Sequence, residues 1–366
     1  MPDWRKSMQQ TFEYYTVDPG TWGDDKKLDN VKTSTVNRDS TVETLGSATL
    51  NVTQSVGESY VRIYLIAIQN GITTKVPLAT VLVQTPSSSF NGKIRDVTMD
   101  AYTPLIELKE NPPPIGYSIP KITKATDGEG NEVIIEANIM EHAFDLTSEQ
   151  TRAPVVKPTC DEKLNNDFVA NTEDNWLTFI TDLIACAKYK FDLDEMGRIL
   201  YVPEQDTASL QPVWTYTDGE DSIMYPDITM DHDLYDVPNV VEVVYTNGGN
   251  TYTARVVNDD ENSPVSTVNR GREKLRRIVN PDMGGIPSEQ QVKQYAEQLL
   301  RNLSTLEYTI TYTHGYCPVR VGDCVRINYS RAGLTDIKAK VISQSIKCEP
   351  GCPVTEKAVF TAKLWG

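Results

Sequence analysis

The side chains best able to do chemistry in this sequence are few, and their spacing argues against a catalytic centre. There are three histidines, His142, His232 and His314, and none stands in a His-Glu-x-x-His arrangement or beside a nucleophile. Asp231-His232-Asp233 puts an imidazole between two carboxylates, a combination that can tune a general base. Within Met230 to Val237 it reads instead as an ordered polar loop. Asp24-Asp25 and Asp259-Asp260-Glu261 juxtapose acids, but 51 acidic residues make such neighbours expected without any proton-transfer role. No Gly-x-Ser-x-Gly elbow occurs, and Gly284-Gly285 precedes a predicted helix without the lysine of a phosphate-cradling loop. The sequence therefore predicts no catalytic residue, no cofactor-binding residue and no cofactor, and the protein is expected not to be an enzyme.

Six cysteines do not make a disulfide scaffold in a chain of 366 residues. Cys160 and Cys186 are well apart, and Cys186 lies on the apolar side of a predicted helix, where a buried free thiol is expected. Cys317, Cys324, Cys348 and Cys352 are the weak metal candidates. The last pair forms Cys348-Glu349-Pro350-Gly351-Cys352 at a predicted hairpin tip, and the first pair brackets the adjoining turn. Four thiolates could hold zinc, but structural zinc sites usually have tighter pairs than the six residues between Cys317 and Cys324. Small packed thiols, with an opportunistic disulfide between them, are the expectation ahead of a metal.

One basic cluster stands against the acidic background: Arg270, Arg272, Lys274, Arg276 and Arg277. The formal net charge is -16, which opposes general adhesion to nucleic acid and is compatible with a wall past which DNA slides; ordinary solubilising charge accounts for any single carboxylate equally well. A solvated loop is the default reading of such a run; five cations gathered in this chain could also hold an acidic neighbouring subunit or a nucleic acid, and their concentration favours a subunit contact over that default. No apolar run is long enough to span a bilayer, so no stable membrane insertion is expected. Met1-Pro2-Asp3-Trp4-Arg5-Lys6 lacks the apolar stretch of a signal peptide, which implies synthesis in a cytoplasm.

The elements that must position these residues are mostly strands. Val56-Gly57-Glu58 leads into Val61-Arg62-Ile63-Tyr64, and Val321-Gly322-Asp323 leads into Val325-Arg326-Ile327. Each phrase follows an alternating run, Thr49 to Thr53 and Leu306 to Thr313, so two related β units are expected. Residues 1–105 read as four or five short strands without helices, a small barrel or sandwich. Residues 106–235 are mixed: Asn111-Pro112-Pro113-Pro114 reads as a linker, Asn131 to Ala143 as a short helix, and Asn175 to Lys188 as a helix with Trp176, Ile180, Leu183, Ile184 and Ala187 on one stripe. A hairpin follows, turning at Asp194-Glu195-Met196-Gly197-Arg198. Residues 236–366 return to strands, with a hairpin through Asn247-Gly248-Gly249, a helix capped by Ser288 and Gln291, and four strands from Leu306 to Trp365. The fold class is α+β, mainly β.

Several of these stretches together resemble the central hub proteins of phage tail baseplates and of related contractile, prophage-type particles. They are Leu78 to Pro86, Asn175-Trp176-Leu177 through Tyr201-Val202-Pro203, Asp236 to Val243, Ser263 to Thr267, and Val321 to Ile327. The resemblance implies a homotrimer in which each subunit gives two tube-like β-barrels, residues 1–105 and 236–366, with the mixed region 106–235 outside. The resulting pseudo-sixfold ring would join the tail tube to the central spike, and acidic residues would face the DNA channel. It further implies the tail tube protein, central spike protein, baseplate wedge proteins, tape measure protein and passing DNA as partners, and a place in the virion. The four clustered cysteines have no counterpart in that pattern. Two alternatives are a receptor- or carbohydrate-binding tail protein, suggested by β content and 18 tyrosines, and a cell-wall-degrading tail enzyme, for which no carboxylate or Cys-His site is spaced correctly.

Overall fold

A computed structural model describes residues 2–90, 92–93, 95–126, 131–205, 209–247, 249–283 and 287–365. Seven strands come first: β1 (Gln9–Val17), β2 (Asp24–Lys27), β3 (Val31–Asp39), β4 (Gly46–Val52), β5 (Ser59–Gln69), β6 (Ile72–Phe90) and β7 (Arg95–Tyr102). Then follow α1 (Ile106–Lys109), β8 (Ser118–Ile119), β9 (Ile122–Thr126), β10 (Glu132–Glu136), α2 (Ile139–Gln150), β11 (Phe168–Val169), α3 (Trp176–Ala185), β12 (Tyr189–Leu193) and β13 (Ile199–Pro203). The remainder comprises β14 (Pro212–Thr217), β15 (Met224–His232), β16 (Val240–Asn247), β17 (Asn250–Val257), α4 (Thr267–Arg270), β18 (Leu275–Val279), α5 (Glu289–Leu303), β19 (Thr305–Gly315), β20 (Cys324–Tyr329), β21 (Leu334–Lys347) and β22 (Pro353–Lys363). The protein is α+β and mainly β.

Two compact units emerge: Met1–Asp227 with Tyr312–Lys357, and Ile228–Thr311 with Ala358–Gly366. The principal sheet runs β15-β19-β22-β21-β3-β4-β7-β6-β5-β1-β2, with β20 pairing both β21 and β14. Hidden in that order is a repetition. The first strand set reads β4-β7-β6-β5, and the later one reads β19-β22-β21-β20, the same path through four consecutive strands. The two Gly-acid phrases occupy equivalent places before β5 and β20, and Gly57 (φ 74) and Gly322 (φ 96) both take the left-handed conformation that glycine permits. The dense apolar run Tyr60 to Ile68 lies between β1 and β6, with Val61, Ile63 and Leu65 fully buried, as a central strand requires.

In the first unit, α1, α2, α3 and the β12–β13 hairpin share one apolar core that includes Leu108, Met140, Phe179, Leu183 and Ile199. Trp176, Phe179, Ile180, Leu183 and Ile184 recur at three- and four-residue spacing, so α3 buries one continuous stripe. Each such side chain stabilises by about 1.5–3 kcal/mol. At its start, the Asn175 side chain accepts from the Thr178 N–H while Thr178 Oγ1 accepts from the Asn175 N–H, each at 2.9 Å. Asn175→Ala should cost about 1 kcal/mol; a urea midpoint equal to wild type would show that the cap contributes nothing.

The expected helix over Asn131 to Ala143 is corrected. Glu132–Glu136 is a strand, because the β-branched run Val133-Ile134-Ile135 prefers extended backbone. Asn138 then starts α2 by accepting from Met140 N and Glu141 N. Cys186 is also corrected: it is the exposed C-cap of α3, one step past the buried stripe, and not a buried thiol. The first region holds more strands than the four or five expected, and β6 alone spans 19 residues. Gly248, Gly284 and Gly285 lie outside the described residues.

The turn between β12 and β13 is fastened to the sheet by side chains from three other strands and loops. Trp22 Nε1 donates to the Met196 carbonyl at 2.7 Å, and Thr80 Oγ1 donates to the Glu195 carbonyl at 3.2 Å. Arg62, 1% exposed, donates to Thr80 Oγ1, Asp24 Oδ1, and the Trp22 and Met196 carbonyls. Gly197 sits here at φ 76, so close that an added Cβ would lie 2.7 Å from Thr80 Cβ.

In the second unit, β17-β16-β18 forms a three-stranded sheet of its own. Val292, Ala296 and Leu300 of α5 cover Val241, Val243 and Ala254. Ser288 and Gln291 form the capping box that the sequence predicts.

Candidate interaction surface

The basic cluster divides once folded. Arg270 ends α4, which Ser266 caps, and donates to the Val237 carbonyl at 2.7 Å and the Leu234 carbonyl at 3.0 Å. Burial, with Arg272 nearby, holds its pKa below the ordinary value. It therefore pins its own loop. Lys274 places its ammonium 4.4 Å from the centre of the Tyr235 ring. Arg277 is exposed and ion-paired to Glu242 at 2.5 Å, across the β16–β18 pairing. Arg272 and Arg276 are exposed. Alternation along β18 sends Arg276 to the sheet face that carries α5 and Arg277 to the opposite face. The cations thus surround an edge strand whose Leu275 and Val279 are also exposed.

The four thiols are free and buried. Cys348 and Cys352 flank the β21–β22 turn as expected, beside Tyr14 and Ser34. Cys317 lies 3.4 Å from the Tyr216 hydroxyl, and Cys324 opens β20 opposite Lys340. Burial pushes the Cys348 thiol up to about 11 and raises Cys324 and Cys352 as well. A metal ligand must be the thiolate, so burial works against that role. Among the described residues, no three His, Cys, Asp or Glu side chains gather as metal ligands would.

One charged constellation escaped the sequence reading. His314 on β19 and Glu356 on β22 are both fully buried, with His314 Nε2 3.3 Å from Glu356 Oε1. Glu356 accepts from Tyr312 at 2.7 Å, Tyr216 at 3.1 Å and Gln344 at 2.5 Å. His314 Nδ1 faces the Gly315 carbonyl at 2.7 Å, so both ring nitrogens meet oxygen acceptors and the imidazolium fits best. Burial alone would oppose that charge, but the Glu356 carboxylate and Cys317 raise the His314 pKa to about 10. Glu356 is held below its ordinary value; His314 and the donated hydrogen bonds overrule the opposing effect of burial. An acid-base pair sealed at zero exposure cannot reach a substrate, so the centre is structural in its geometry. Its partners lie far apart in sequence, and no local spacing marks them.

Asp231-His232-Asp233 closes β15, where the exposed His232 ring lies 5.0 Å from Tyr308 and Asp233 accepts from the Tyr235 N–H.

No protein-family model matches the sequence, and no curated protein matches it. The structure, by contrast, is similar to solved ones. A tail protein from Neisseria meningitidis MC58 is 11% identical over 97% of this chain and 98% of its own, with a TM-score of 0.58. The prophage MuSo2 43 kDa tail protein from Shewanella oneidensis is 10% identical over 95% of this chain and 98% of its own, also at 0.58. A Francisella PdpA-VgrG complex matches 98% of this chain and 53% of its own at 8% identity and a TM-score of 0.53. Over nearly its whole length, this chain has the fold of phage tail proteins.

Proposed function

We propose that this protein is a structural component of a virion, the central hub of a tail baseplate. Three copies close a pseudo-sixfold ring of tube-like β-barrels that joins the tail tube to the central spike and lines the DNA channel. The observation that carries this reading is the repeated strand path, β4-β7-β6-β5 and β19-β22-β21-β20, in a chain with a tail-protein fold. Two equivalent β sets in each of three subunits supply the six positions that a sixfold tube needs to meet a threefold spike. The net charge of -16 suits a conduit that must not hold DNA.

The implied neighbours are the tube, spike, wedge and tape measure proteins. The similarity to a chain of the PdpA-VgrG complex supports protein partners of this kind. Among the described residues, no helix is long and apolar enough to cross a membrane. Synthesis in the bacterial host cytoplasm precedes assembly.

Sedimentation of the chain alone and with tube and spike proteins tests the reading, and a trimer is expected. Replacing Arg272, Arg276 and Arg277 with Glu should weaken association at least tenfold, and added salt should weaken the wild type in the same direction. A wild-type chain that stays monomeric with those partners present would overturn the ring.

A further inference from the structure

The β9–β10 ribbon of the first unit stands apart from the principal sheet. It consists of five antiparallel pairs, from Glu132 opposite Thr126 to Glu136 opposite Ile122, and it joins no other sheet. Every residue of β10 is exposed, including Val133 and Ile135 on one face and Ile134 on the other. An isolated two-stranded ribbon is marginal in water, and its outer strand offers a row of unpaired backbone groups. Ile134 is 62% exposed among the described residues.

The chain also carries an edge of matching chemistry. β18 lies at the end of the order β17-β16-β18, so it pairs along one side only among the described residues. Its sequence is Leu275-Arg276-Arg277-Ile278-Val279, against Glu132-Val133-Ile134-Ile135-Glu136 in β10. One strand carries carboxylates around an apolar centre, and the other carries guanidiniums beside apolar residues. Setting the two antiparallel with Glu136 across from Arg276 also sets Ile134 across from Ile278 and Val133 across from Val279. The same register sets Ile135 across from Arg277 and Glu132 across from Asn280, so one charge pair and two apolar pairs coincide in it.

We infer that β10 of one copy adds to the β18 edge of a second copy, making a sheet continuous across the subunit boundary. Backbone hydrogen bonds supply the attachment, and the Glu136–Arg276 pair sets the register. This rests on the hub reading only in requiring self-association; the strand pairing is a separate statement about how neighbouring copies meet.

The test uses full-length chain with Cys186→Ser, since Cys186 is an exposed thiol. One chain carries Val133→Cys and the other Val279→Cys, both at exposed positions. Co-expressed and oxidised, they should give an interchain disulfide on a non-reducing gel, absent from either chain alone. Independently, Glu136→Arg and Arg276→Glu should each weaken association about tenfold, and the double variant should recover it. A trimer that forms without the cross-link and ignores the charge exchange would overturn the strand pairing while leaving the ring intact. A chain that is monomeric under all conditions would overturn both.

Discussion

Glu356→Ala is expected to lower the stability of the first unit by about 3–5 kcal/mol, because it strands the charge of His314 in the core. Tyr312, Tyr216 and Gln344 lose an acceptor in the same step. Equilibrium denaturation in urea measures the loss, and a change below about 1 kcal/mol would mean that the pair is not the centre of this network. The pH dependence has two arms. His314 has a folded pKa raised from 6.5 to about 10, so its contribution is complete below pH 6.5 and fades as pH rises towards 10. Glu356 has a folded pKa below its ordinary 4.5, so its contribution is complete above that value and fades as pH falls further. Their joint contribution is therefore greatest between pH 4.5 and 6.5. In His314→Gln the alkaline arm should flatten relative to wild type. An unchanged slope would assign that arm to other groups.

The second large effect is expected where the β12–β13 turn meets the sheet. Arg62→Met removes a buried cation that serves Asp24, Thr80 and two carbonyls, at a cost of about 3 kcal/mol. Gly197→Ala should cost about 1–3 kcal/mol from its positive φ, with the contact against Thr80 adding to it. Both substitutions loosen one attachment. Their combined loss should therefore fall short of the sum, since the second removes contacts that the first has already released. Strict additivity in a double-mutant cycle would show that Arg62 and Gly197 act on separate structures.

The buried lock and the buried ion pair share a property: each joins residues that no short window contains. Arg62 reaches Met196, and His314 reaches Glu356, through folding alone. By contrast, the sequence by itself determined whatever depends on near neighbours. The stripe Trp176, Ile180, Leu183 and Ile184 specified α3, because helical spacing is a local property. Ser288 with Gln291 specified the start of α5, and Gly197 specified a turn with positive φ. The repeated Gly-acid phrase precedes β5 and β20, which hold the same place in the two four-strand paths.

Local pattern determined less where two structures satisfy it equally. Asn131 to Ala143 spaces Val133, Ala137 and Met140 as a helix would, yet pairing with Ile122 to Thr126 draws Glu132 to Glu136 into a strand. The hairpin through Asn247-Gly248-Gly249 was expected among the strands of residues 236–366, but sequence did not show that its strands, β16 and β17, join β18 in a sheet under α5, apart from the principal sheet. The basic cluster was visible as charge density, but only tertiary structure separated Arg270, bound to two carbonyls, from Arg276 on an open edge. Sequence fixes which side chains can be charged or apolar. The pairing of strands and the closing of the core decide which of them water, or another subunit, can reach.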